Sequence, residues 1–188
     1  MQKRVNYAQL SLFSFYEYFL LLSPGQRIVH KVAAMKSRLA AMIPVPSYNL
    51  RSIAHISLMK FLRTEDDQAI IRQVTHAIEG FSEFTVQLHD AGIFYHGRTA
   101  TLMLQPVNSH PISSLHGAIS ATFHHHRSIR PHITIARNVA REELIKIDLH
   151  DFGCRDSFCC DKVTILKKAV EAAHYEILQE VPIPGKIY

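Results

Sequence analysis

Two six-residue segments of this chain match in residue class at every position: His55-Ile56-Ser57-Leu58-Met59-Lys60 and His132-Ile133-Thr134-Ile135-Ala136-Arg137. Each places a hydroxyl residue two positions after a histidine, with apolar residues between and after. Side chains alternate faces along an extended strand, so His and Ser or Thr share one face while the apolar residues anchor the other. Each copy then offers an imidazole for proton transfer and a hydroxyl able to donate to an anionic oxygen. Two copies across a cleft would supply a general acid, a general base and two hydroxyl clamps. That set suits in-line attack at phosphorus without a metal. One imidazole takes the nucleophile's proton and the other protonates the leaving oxygen, a division that histidine's near-neutral pKa allows.

Spacing alone is weak evidence. With 13 His and 22 Ser or Thr among 188 residues, about 1.5 His-x-Ser/Thr pairs arise by accident, and about 0.3 once apolar neighbours are required. A third pair, His126-x-Ser128, falls in a polar stretch where no strand interior is expected. Lys60 and Arg137 stand at the fifth position after each His, so strict alternation turns them from the histidine face. They come round only where the strand ends, twists or bulges. Lys60 is accordingly read as a solvent-facing charge.

The elements that must hold these segments follow from periodicity. Aromatic residues in the run Leu10–Leu22 predict a first strand, and Glu17 within that run argues against a signal peptide. Ser23-Pro24 predicts a helix start, with Ile28, Val32, Leu39 and Ile43 on one face and Pro44 ending it. The first motif is expected within a strand over 52–62. A second helix opens at Thr64 with Glu65, Asp66 and Asp67 and closes at Gly80. Strands over 83–95 and 99–107 join tightly at His96-Gly97-Arg98. A third helix begins at Pro111, the second motif lies in a strand over 131–137, and a weak helix spans 142–147. Two last strands are expected over 158–168 and 174–181. Helices mixed with short strands, and no Gly-rich phosphate loop, give an α+β fold rather than a doubly wound one.

Composition bounds the rest. The net charge of +5 and 47% hydrophobic content describe a globular chain able to bury a core. Disordered, collagenous and disulfide-stapled classes are excluded, and the basic excess favours an anionic partner. Three cysteines, two of them the adjacent Cys159 and Cys160, fit a reducing cytoplasmic setting. Three consecutive residues, His124-His125-His126, cannot converge comfortably on one ion, so the run is read as a polar loop after a helix. Tyr95 and Tyr175 could stack on a base, although packing is the commoner role.

The paired motifs resemble those of the 2H phosphoesterase superfamily. Asn49-Leu50 before the first motif, Arg130-Pro131 before the second, and the closing segment Ala173-His174-Tyr175-Glu176-Ile177-Leu178 extend the resemblance over most of the chain. It is nearest to the bacterial RNA 2′,3′-cyclic phosphodiesterase and 2′-5′ RNA ligase branch. The resemblance implies a single domain over 1–188 made of two lobes, pseudo-two-fold, with antiparallel sheets around a central cleft and helices packed outside. It implies His55 and His132 as the catalytic pair, with Ser57, Thr134 and Arg137 binding phosphate. No metal or other cofactor, no membrane and no obligate protein partner is expected. The expected activity is opening of a cyclic phosphate at an RNA end or nucleotide, or the reverse 2′-5′ ligation. The alternative is a nucleotide- or RNA-binding protein on the same fold without turnover. Arg51-Ser52-Ile53-Ala54 separates Asn49-Leu50 from the motif, where the commoner branch has them adjoining, and sets this chain off that branch.

Overall fold

The computed structural model describes residues 14–185. The eight strands are β1 (Phe15–Leu22), β2 (Ile56–Thr64), β3 (Phe84–His96), β4 (Thr99–Pro106), β5 (Ile133–Ala140), β6 (Asp156–Cys160), β7 (Lys162–Ala169) and β8 (Glu176–Pro182). The helices are α1 (Gln26–Met42), α2 (Tyr48–Arg51), α3 (Asp67–Ile78), α4 (His110–Thr122) and α5 (Arg141–Leu144). All strand pairs are antiparallel, in the order β6-β3-β4-β5-β2-β1-β7-β8. The expected first strand begins at Phe15, and its portion before residue 14 lies outside the described residues.

The sheet divides into two matching halves. One runs β2-β1-β7-β8 and the other β5-β4-β3-β6, and they meet through one pair, Ile56 with Ile133. Each half carries a strand–helix–strand unit, β1-α1-β2 and β4-α4-β5, that ends in a motif strand. Helix α1 packs toward β5 and α4 toward β2, so each helix supports the motif strand of the other half. Buried Ile28, Val32 and Leu39 of α1 and Ile112, Leu115 and Ile119 of α4 supply the apolar stripes. With Ile56, Leu58, Ile133 and Ile135 from the sheet they form one continuous core.

Several expectations are corrected. Ser23 does not cap α1: the cap is Gly25, and the Ser23 hydroxyl lies 3.2 Å from that of Thr164 instead. Thr64 ends β2, and Asp66 caps α3 by accepting from the Ala69 amide at 3.2 Å. The strand expected over 158–168 is two strands in different halves. β6 pairs with β3 and β7 with β1, and Asp161 alone carries the chain across. The Asp161 carbonyl accepts from the Ile183 amide at 2.7 Å, so the crossing leaves no gap in backbone bonding there. Alternation reads the same on both sides of such a crossing, which is why the pattern concealed it.

Candidate active site

Each motif histidine stands one residue ahead of its strand rather than inside it, since β2 begins at Ile56 and β5 at Ile133. The reason is the same in both copies. The His55 Nδ1–H donates to the Ile53 carbonyl at 2.8 Å, and the His132 Nδ1–H donates to the Arg130 carbonyl at 2.7 Å. A carbonyl only accepts, so each bond fixes the proton on Nδ1 and leaves Nε2 for a ligand. Pro131 bars Arg130 from helical backbone and keeps the second approach extended. The Ile56–Ile133 pair then brings the starts of both motif strands together at the midline of the sheet.

Both motif strands bulge at the same place. β1 pairs Leu21 with Ser57 but Leu20 with Met59, so Leu58 is an extra residue. β4 pairs Met103 with Thr134 but Leu102 with Ala136, so Ile135 is extra. The extra residue and its successor both face the core: Leu58 with Met59, and Ile135 with Ala136, are buried. Alternation is thereby reset, and the residue after each buried pair returns to the face of the histidine and hydroxyl. Arg137 meets the condition set for it. Lys60 is exposed, as expected of a solvent-facing charge, and its ammonium also leans over the Phe19 ring at 4.8 Å, while Phe19 meets the His55 ring edge-on at 5.3 Å. Ser57 is exposed and Thr134 half-buried.

Arg137 is held at its backbone. The buried Asn49 side chain accepts from the Arg137 amide at 3.0 Å and donates to its carbonyl at 3.1 Å. The Arg137 guanidinium lies 5.3 Å from the Tyr48 ring, whose hydroxyl accepts from Asn138 at 2.9 Å. Asn138 has φ 55°, a left-handed conformation that Asn tolerates, at the end of the bulged region. Asn49 thus ties α2 to the bulged strand.

A residue that sequence reasoning missed is Lys36. It lies in the apolar stripe of α1, is buried, and donates from Nζ to the Ser52 carbonyl and hydroxyl, each at 2.6 Å. The signal was a lone lysine in register with Val32 and Leu39. The Arg51–Ala54 segment is therefore the anchor of a buried ammonium, and Ser52 adjoins the residue whose carbonyl holds His55. Burial, aided by the Arg137 charge, lowers the Lys36 pKa to about 8. Between that value and the ordinary 10.5 the unfolded chain binds a proton that the folded chain does not, so stability rises with pH. Measured by urea unfolding at pH 7 and 9.5, the native protein is expected to gain on Lys36→Met at the higher pH. Equal responses of the two proteins would contradict the buried ammonium.

Burial is the main cause lowering the His55 pKa, with further lowering from Lys36, His132 and Arg137, against the raising effect of the Ile53 bond. Beside His132 a cavity of about 160 Å³ is lined by Phe94, His96, Thr101, Met103 and Arg130. The Arg130 guanidinium lies 5.4 Å from the Phe94 ring. A larger cavity of about 340 Å³, lined by Phe61, Arg63, Phe123 and His124 among others, holds neither motif histidine. The His124–His126 run leaves α4 as a turn, with His124 at φ 51°. Among the described residues no group of three or more His, Cys, Asp or Glu gathers to hold a metal ion. No described helix is long and apolar enough to cross a membrane. Tyr95 is exposed against Arg141, whereas Tyr175 packs on Phe19.

Two similarly built motif strands thus meet at the midline of one sheet. The 2′-5′ RNA ligase superfamily model matches residues 28–172, and the chain belongs to that family. Among curated proteins none matches at a significant level. Solved structures share the fold. TT0787 of Thermus thermophilus aligns with TM-score 0.65 and 12% identity, covering 91% of this chain and 100% of its own. E. coli LigT complexed with 3′-AMP aligns with TM-score 0.66 and 17% identity, covering 90% and 98%. E. coli LigT complexed with ATP gives 0.65 and 18%, covering 90% and 99%.

Proposed function

We propose that this protein is a metal-independent phosphoesterase opening the cyclic phosphate of an RNA end or nucleotide, with 2′-5′ ligation as the same ring opening by a 5′-hydroxyl in place of water. The observation that carries the reading is the duplicated half-site. Two imidazoles are oriented by the same backbone bond, and each is followed two residues on by a hydroxyl and, past a bulge, by a cation.

In this reading the phosphate sits between the His55 and His132 Nε2 atoms. Ser57 and Thr134 donate to its non-bridging oxygens, and Arg137 balances its charge. Water attacks phosphorus in line as a neutral imidazole takes its proton. The phosphorus–oxygen bond to the leaving ribose oxygen breaks as the other imidazole, protonated, supplies that oxygen with a proton. The lowered pKa of His55 suits it to be the neutral partner in hydrolysis, which leaves the protonated role to His132. Ligation keeps these roles with a 5′-hydroxyl in place of water, and cleavage of the 2′-5′ linkage back to the cyclic phosphate exchanges them. The cavity beside His132, with the Phe94 ring and the Arg130 guanidinium, gives a base or ribose a stacking wall. The LigT complexes with 3′-AMP and ATP support a nucleotide as the bound part.

The test is a panel of 2′,3′-cyclic nucleotides, cyclic-phosphate-ended RNAs and 2′-5′-linked dinucleotides, assayed with and without EDTA. Ring opening unaffected by chelation is expected. Tight binding with no turnover of any member would replace the reading by a nucleotide-binding one.

A further inference from the structure

The two bulges make Lys60 the counterpart of Arg137, yet the two cations are differently placed. Arg137 rests on Tyr48. Lys60 Nζ lies 4.8 Å from the Phe19 ring centre, 5.0 Å from that of Tyr175 and 3.2 Å from a Glu17 carboxylate oxygen. Tyr175 also donates its hydroxyl to Glu17. The two rings already confine the ammonium, so little further conformational freedom is lost when a ligand takes it. Its ion pair is half-exposed, and such pairs contribute little and exchange readily. A phosphodiester carries the same single negative charge as the carboxylate, so a phosphate brought up by the bound substrate takes the ammonium in its place.

Position decides which phosphate. One phosphate held between the histidines is already met by Arg137 and two hydroxyls. Lys60 Nζ lies 4.8 Å and the His55 ring 5.3 Å from the centre of the same Phe19 ring, which puts the ammonium near His55 while the phosphate between the histidines has its own partners. In a nucleotide chain the next phosphate is one ribose away from the terminal one. We propose that Lys60 is a specificity-determining residue that binds this second phosphate, so the site prefers RNA ends to free cyclic mononucleotides. The inference rests on the proposed activity for its substrate, but its binding test needs no turnover.

Adenosine 3′,5′-bisphosphate and 3′-AMP differ by one phosphate and serve as the probes. By calorimetry the native protein is expected to bind the bisphosphate about tenfold more tightly, the gain of one charge-assisted contact. Lys60→Met is expected to abolish that preference, and Lys60→Arg to keep most of it. Glu17→Gln, which frees the ammonium, is expected to widen the preference about threefold. In turnover, Lys60→Met is expected to remove any advantage of a cyclic-phosphate-ended dinucleotide over 2′,3′-cyclic AMP. A native protein with no preference between the probes would overturn the assignment, as would a Lys60→Met protein that keeps it. If the preference behaves as stated but no cyclic phosphate is opened, the proposed activity fails and the Lys60 site stands.

Discussion

His55→Ala and His132→Ala are each expected to lower kcat/KM for cyclic-phosphate opening by about 10²–10⁴-fold, the range for a positioned acid or base. Each change removes the group that carries a proton at the moment of bond exchange. It also removes the Nδ1 bond to Ile53 or Arg130, although that bond orients the ring rather than supporting the core. Both side chains are only half-buried, so thermal midpoints should move little while activity collapses. The double variant is expected to lose less than the product of the single losses, because two groups serving one transition state do not act independently. Either single variant retaining a tenth of native activity would count against its role.

Ser57→Ala and Thr134→Ala are each expected to cost about ten- to a hundredfold in kcat/KM, the loss of one hydrogen bond to developing charge. Thr134→Ser, which keeps the hydroxyl, is expected to restore most of the rate. The bulge behind each hydroxyl is built from Leu58 with Met59 and Ile135 with Ala136, so removing the hydroxyl leaves the strand path intact. Steady-state kinetics with a parallel melting curve separates the two effects. Full turnover in both alanine variants would remove the clamps from the mechanism.

Much of this site was legible because period-2 alternation and a matched pair of motifs are local signals. Spacing alone assigns His55 with Ser57, and His132 with Thr134, to one face of an extended strand, and that assignment is part of the proposal. The exposure of Lys60 was legible but its place over Phe19 was not, because a bulge changes the parity of a strand through its pairing with a neighbour, and pairing is invisible in one segment. Arg137 could be placed only conditionally, for the same reason. Lys36 was hidden by its own location: a lysine within an apolar helical stripe is read as a flaw in the pattern until its acceptor, Ser52, is known. The splitting of the last long strand at Asp161 was illegible for a further reason. β6 and β7 are both half-buried strands, and only long-range partners show that they belong to opposite halves. The fold class survived these errors because it depends on the number and alternation of elements rather than on their edges.

Two histidines in opposite protonation states, working without a metal, stand at the centre of the proposed chemistry. The measurement that tests them most directly is kcat/KM for 2′,3′-cyclic AMP against pH, recorded in EDTA. A bell is predicted. Its acid limb follows protonation of the general base, assigned to His55, and lies below histidine's ordinary value because burial and the neighbouring cations disfavour the charged ring. Its alkaline limb follows deprotonation of the general acid, assigned to His132. The two rings influence one another, so the apparent values belong to the pair. Lys36→Met is expected to move the acid limb upward, since a positive neighbour of His55 is gone. A bell that survives EDTA is the predicted result; activity that vanishes with the chelator and returns with a divalent cation would contradict the account.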